Sequence, residues 1–91
     1  MALRADIILK GRVQGVNLRA MIKIMALSLN LKGYVKNEDN GTVHIVIEGG
    51  KDDIDSFFRL LKNYRGPGKV EEINDNWSEE QPEFSDFTIK Y

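Results

Sequence analysis

The spacing of apolar positions changes along the chain. From Asp6 to Val13 they alternate, with Ile7, Leu9 and Val13 on one face and Ile8 among charged residues on the other, the period of a half-buried strand. Gly11 marks the end of that strand or a bulge in it. From Leu18 the interval lengthens: Leu18, Ile22, Met25, Ala26 and Leu29 form one helical stripe with Lys23 outside it. Asn30 can close that helix in the left-handed conformation. Alternation returns over Lys32 to Asn37 and Thr42 to Glu48, and the Asn-Gly pair within Glu38-Asp39-Asn40-Gly41 predicts a hairpin whose buried face is Val43, Ile45 and Ile47. Gly49-Gly50 breaks the strand, and Asp52-Asp53 open a second helix carrying Ile54, Phe57, Phe58 and Leu61 at helical spacing. After the turn Gly66-Pro67-Gly68, Lys69 to Trp77 read as a fourth strand, and Phe87, Ile89 and Tyr91 alternate in a short fifth.

The order βαββαβ with one further strand is the split βαβ arrangement. It predicts a ferredoxin-like α+β sandwich: an antiparallel sheet, both helices on one face, and a short fifth C-terminal strand. The 91 residues fit one domain, 1–91, large enough for a core without staples. Cysteine is absent, which excludes disulfides, thiolate metal sites and thiol nucleophiles. No apolar run approaches the roughly 20 residues of a membrane span, and the first residues lack the apolar core of a signal peptide, so a cytoplasmic protein is expected. Thirteen Lys/Arg against fourteen Asp/Glu give a net charge of −1, with no global field to attract nucleic acid. The charge is uneven, however: residues 1–36 hold seven Lys/Arg and one Asp, while residues 71–86 hold seven acidic residues and no Lys or Arg. A small anion is drawn to the first half.

The candidate chemistry lies in that half. Gly11-Arg12-Val13-Gln14-Gly15-Val16-Asn17-Leu18-Arg19 is a glycine-bearing turn after an apolar strand, with an arginine where a helix begins. A helix start presents unpaired N–H groups and the positive end of its dipole, so a cation there calls for an anion beside it. Asn37 stands on a second apolar strand, where asparagine is a poor intrinsic choice. Together Arg19 and Asn37 indicate a phosphoryl site. Other polar and aromatic residues have plainer readings. His44 falls on the open side of the sheet opposite Val43, Ile45 and Ile47, without a catalytic role, and Met21, Met25 and Trp77 read as packing residues. The acidic run Glu71-Glu72, Asp75 and Glu79-Glu80 reads as a solvated strand and loop, and no metal or other cofactor is expected. An RNA-binding module of the same architecture needs aromatics on its central strands; Ile7 to Leu9 and Val43 to Ile47 contain none.

The stretch Gly11 to Asn37 resembles the acylphosphatase family, whose signature Gly-x-Val-Gln-Gly-Val-x-Phe-Arg is met here by Gly11, Val13, Gln14, Gly15, Val16 and Arg19. The family's later Gly-x-Val-x-Asn is met by Gly33, Val35 and Asn37, and a looser likeness extends through Gly66-Pro67 to Phe84, Phe87, Ile89 and Tyr91. Leu18 stands where the family has Phe, Asn30 where it has a helix-ending Gly, and Asn17 at a variable position where its amide can face solvent or cap the helix. The resemblance implies hydrolysis of a carboxyl-phosphate anhydride to a carboxylate and inorganic phosphate by in-line attack of water, without a metal. It implies that Arg19 pairs with the phosphoryl oxygens, that backbone N–H groups of Val13, Gln14, Gly15, Val16, Asn17 and Leu18 cradle them, and that Asn37 orients the water. The partners implied are a small acyl phosphate and its phosphate product; charge and hydropathy predict no nucleic acid or membrane partner, and the protein is expected to be a monomer. No position in the sequence marks out a pocket for the acyl group, so acetyl, carbamoyl, glyceroyl and aspartyl phosphate rank equally. The competing expectation is a non-catalytic phosphate- or acyl-phosphate-binding domain of the same fold. Tyr91 invites the further expectation that its α-carboxylate restrains Arg19.

Overall fold

Alternating apolar residues on β1 (Ala2–Arg12) make it an interior strand of the architecture, with both of its edges used. In sequence, β1 is followed by α1 (Leu18–Ser28), β2 (Lys32–Asn37), β3 (Val43–Gly49), α2 (Lys51–Lys62), β4 (Lys69–Glu80) and β5 (Phe87–Lys90). The computed structural model describes residues 2–91. The five strands form one sheet in the order β4-β1-β3-β2-β5, so the ferredoxin-like arrangement expected from the pattern is present. Ile7 lies opposite Ile45 on β3, and Val35 of β2 opposite the same residue.

Two strands are longer than their periodicity indicates. β1 begins at Ala2 because Leu3 and Ala5 extend its series opposite β3, while Arg4 and Asp6 pair with each other on the other face, Nε to Oδ2 at 3.0 Å. That carboxylate raises the Arg4 pKa above its usual value, chiefly through the hydrogen bond. β4 continues to Glu80 because it follows β1 along its whole length, from Ala2 opposite Glu80 to Arg12 opposite Lys69, with one irregularity at Lys10/Gly11.

Neighbours among β4, β1, β3 and β2 are antiparallel, but β5 joins β2 in parallel, Gly33 opposite Phe87 through Lys36 opposite Lys90, so the sheet is mixed. The direction follows from the path. β4 finishes at the end of the sheet where β3 also finishes, and the chain crosses that end to the opposite edge. It is held on the way by Glu48, a carboxylate only 3% exposed that accepts N–H bonds from Glu83 and Phe84 at 3.1 to 3.2 Å. A strand starting from that end must run alongside β2 in the same direction.

Both helices cover one face. Leu18, Ile22 and Ala26 of α1 and Ile54, Phe57 and Leu61 of α2 are buried in one cluster with Ala5, Ile7, Leu9, Val35, Val43, Ile45, Ile47 and Phe87. Burial of side chains of this size stabilises by about 1.5–3 kcal/mol each before chain entropy is counted. α1 stops as expected at Asn30, which is left-handed (φ 58°). The Leu31 N–H then bonds back to Ala26 O at 2.9 Å and the Asn30 N–H to Leu27 O at 3.1 Å, the paired bonds of a Schellman cap. Among the described residues no helix is long and apolar enough to cross a membrane.

This topology sends the end of β1, the start of α1, the end of β2, the β2–β3 hairpin and the end of β5 to one end of the sandwich. The residues singled out in the sequence meet there.

Candidate active site

Two left-handed residues shape the turn between β1 and α1. Gly15 has φ 75° and Asn17 φ 63°, and between them the chain reverses so that α1 begins at Leu18. Left-handed backbone is costly for most side chains and cheap for Gly and Asn, which accounts for these residues at these positions. Asn17 makes no side-chain capping bond, so of its two expected roles capping is not the one found. Among the described residues the N–H groups from Gln14 to Ala20 have no backbone acceptor; the first helical bond comes from the Met21 N–H to Asn17 O at 3.4 Å. A run of unpaired N–H groups at the positive end of a helix dipole is a receptor for a tetrahedral anion.

A cavity of about 230 Å³ opens at this turn, lined by Val13, Gly15, Asn17, Leu18, Arg19, Ala20, Asn37, Ile89 and Tyr91. Arg19 and Asn37, which come from different elements, therefore face the same space. Leu18, though it lines the cavity, is anchored in the core at 2% exposure, fixing the helix start from below. Gln14 and Val16 are absent from the lining. Val16 turns toward the core and crowds Gly68, and the Gln14 side chain reaches the β2–β3 hairpin, so only their backbone is available to a ligand.

Asn37 is the most unusual residue of the site. Its Oδ1 is buried and has no hydrogen-bond partner. An unsatisfied buried acceptor costs about 1–3 kcal/mol, and folds leave very few. Arg19 is equally uncommitted: among the described residues it has no carboxylate partner, and its guanidinium lies 4.9 Å from the centroid of the Tyr91 ring. The expected restraint by the Tyr91 α-carboxylate is thus replaced by the ring face. The ring attracts the cation through its quadrupole and leaves the guanidinium N–H groups free to donate.

Larger hollows of about 480 and 460 Å³ flank α2 and β4, yet neither is lined by Asn37 with its unpartnered buried Oδ1. His44 lies on the open face between Asp6 and Glu38, at 3.5 and 3.6 Å, away from the cavity, in keeping with its expected non-catalytic place. Among the described residues no three His, Asp or Glu side chains converge where a metal ion could be held. Sequence reasoning missed Ala20 and Ile89 in the lining. Ile89 was legible only as an alternating strand residue, because its nearness to the turn depends on the parallel docking of β5 on β2.

The fold and this cavity define a class: an α+β sandwich with an anion-receptive turn at the start of its first helix. The acylphosphatase family model matches residues 5–89. An acylphosphatase of Dehalococcoides mccartyi is 38% identical over 85 residues, covering 92% of this chain and 93% of that protein. One from Picrophilus torridus is 39% identical over 84 residues, covering 92% and 98%. Among solved structures, an acylphosphatase from Bacillus subtilis superposes with a TM-score of 0.93 at 37% identity, covering 98% of this chain and 99% of the other. Full-length HypF in its phosphate- and nucleotide-bound form superposes with a TM-score of 0.87 at 32% identity, but this chain spans only 12% of it. The chain belongs to the acylphosphatase family.

Proposed function

We propose that the chain is an acylphosphatase whose chemistry is carried by Arg19, Asn37 and the N–H groups from Val13 to Leu18. The observation that carries this reading is the orphaned Asn37 Oδ1, buried in the wall of the cavity that Arg19 also lines. A domain that only held phosphate would have no need of a buried acceptor across the cavity from its anion receptor. An acceptor there suits a molecule with protons to donate, and water is the nucleophile this reaction needs.

The phosphoryl group of the acyl phosphate sits in the turn. Its oxygens accept from the unpaired N–H groups, and the planar Arg19 fork pairs with two of them. Asn37 Oδ1 accepts a hydrogen bond from a water and aims its oxygen at phosphorus, opposite the acyl oxygen. The bond from that water to phosphorus forms as the bond from phosphorus to the acyl oxygen breaks, releasing a carboxylate. An amide has no useful basicity, so the water's proton passes to a phosphoryl oxygen and leaves with phosphate. A carboxylate leaves readily and requires little acid assistance, which fits a site that supplies position and charge rather than an acid–base pair.

We also read residues 1–91 as one domain acting as a cytoplasmic monomer on a small acyl phosphate, a dianion that does not cross membranes unaided. The free edge of β4 carries Glu71, Glu72, Asp75, Glu79 and Glu80, charges that discourage pairing with an identical edge. The direct test is phosphate release from benzoyl phosphate in the presence of a chelator. Turnover with and without chelator is expected to be the same; a folded protein that binds phosphate but releases none from benzoyl phosphate would make this a binding domain.

A further inference from the structure

The two halves of the cavity come from separate parts of the chain, and one side chain outside the cavity spans them. Gln14 Nε2 donates to Glu38 O at 2.7 Å and to Thr42 O at 2.9 Å. These carbonyls belong to the β2–β3 hairpin, where the Glu38 N–H bonds to Thr42 O at 2.9 Å and the Gly41 N–H to Glu38 O at 3.1 Å. A primary amide has two protons, and two acceptors converge on it, so the group is satisfied on its donor side by the hairpin alone. Glu38 directly follows Asn37, and Gln14 directly precedes Gly15.

We propose that Gln14 is a positioning residue: through its side-chain amide it fixes the phosphate-binding turn against the hairpin, and so sets the distance between the phosphoryl group and the water held by Asn37. This rests on the functional reading above and assigns Gln14 a role beyond its backbone N–H. The sheet links the turn to Asn37 only through β3, where Leu9 and Asn37 both stand opposite Val43, and β1 ends before the turn begins. The turn is anchored below by Leu18 in the core, and Asn37 belongs to β2, which pairs with β3 and β5 rather than with β1. In-line attack tolerates little misplacement, and an error of about 1 Å can cost on the order of 100-fold in rate. Ground-state binding of phosphate depends on the turn and Arg19 alone and survives a small shift of the hairpin.

The test uses Gln14→Glu, which keeps the shape but turns a carboxylate toward two carbonyl oxygens, and Gln14→Met, which removes both donors without adding charge. Each is made alone and with Asn37→Ala, with benzoyl phosphate as substrate and inorganic phosphate as competitive inhibitor. In the single variants kcat should fall by about 10- to 100-fold while the phosphate inhibition constant moves less than about threefold. In the Asn37→Ala background the same changes should alter kcat by less than about threefold, because a residue acting through Asn37 has nothing left to position. A second arm does not need turnover. On phosphate addition, ¹⁵N spectra of the wild type should show shifts both in the turn N–H signals and in the Asn37 side-chain amide; in Gln14→Met the turn signals should still move and the Asn37 signal should not. Unchanged kcat, an equal loss in the Asn37→Ala background, or an inhibition constant that rises as kcat falls would overturn the positioning role. A wild type that fails to turn over benzoyl phosphate would instead sink the functional reading, leaving the spectra to decide the coupling.

Discussion

Replacing Gly33 by alanine should disable the protein through its frame rather than its chemistry. Gly33, the second residue of β2, has φ 139°, lies opposite Ile47 on β3 and Phe87 on β5, and donates its N–H to Asp86 O at 2.9 Å. A Cβ there would stand 1.8 Å from Val46 O and 2.7 Å from Val46 C, where ordinary contact begins at 3.4 Å, and both atoms are backbone that cannot rotate away. The strands must separate. Strained backbone contributes about 1–2 kcal/mol, overpacking about 1–3 kcal/mol, and each ladder bond lost about 1 kcal/mol. With one ladder bond lost, a loss of about 3–6 kcal/mol is expected, against about 5–14 kcal/mol for a domain of this size at the usual stability per residue. Gly15→Ala is the matched control: φ is 75°, but a Cβ there meets nothing within 4 Å, so only the left-handed strain of about 1–2 kcal/mol applies. Urea unfolding followed by circular dichroism measures both. Gly33→Ala within about 1 kcal/mol of wild type would refute the steric reasoning, since no backbone adjustment that small accommodates the overlap.

Three further outcomes follow from particular contacts. Glu48→Ala leaves the N–H groups of Glu83 and Phe84 without their acceptor and should cost about 2–4 kcal/mol in urea unfolding; a neutral effect would mean the crossing to β5 is not held there. Burial pushes the Tyr34 phenol up from 10.0, so the folded protein holds that proton more tightly than the unfolded chain. Its contribution to stability is present below pH 10 and is lost as pH rises through the raised folded value, and Tyr34→Phe should flatten that alkaline slope in thermal melts. Tyr91→Ala removes the ring beneath Arg19 and should weaken phosphate inhibition about two- to fivefold, the scale of an exposed cation–π contact; unchanged inhibition would mean the ring does not orient the guanidinium.

The central strands and both helices were legible because each buries one regular face: the stripe Leu18, Ile22, Ala26 and the alternation Val43, Ile45, Ile47 carry the period of the element that hides them. The turn and the end of α1 were legible for a related reason, since Gly15 and Asn30 are residues whose backbone freedom is used where they stand. Asn37 and Arg19 stood out because each is badly placed unless a ligand is present. The last residues of β4, Ser78 to Glu80, were not legible, because an exposed stretch of edge strand has no buried face to set a period. Nor was the direction of β5, which is decided by where β4 ends and by Glu48, a pairing across distant parts of the chain. The Gln14 side chain and the Tyr91 ring were hidden in the same way: a glutamine in a turn and an aromatic after a strand have many uses, and only the folded geometry shows which contact each makes.

The most direct test of the account separates the two roles in one experiment. Benzoyl phosphate hydrolysis and phosphate inhibition are measured in chelator for wild type, Arg19→Ala and Asn37→Ala, each verified as folded. The account predicts that Asn37→Ala loses at least about 100-fold in kcat with phosphate inhibition nearly intact, while Arg19→Ala loses turnover and most of its phosphate affinity. Asn37→Ala turning over like wild type, or Arg19→Ala inhibited by phosphate as wild type is, would contradict it.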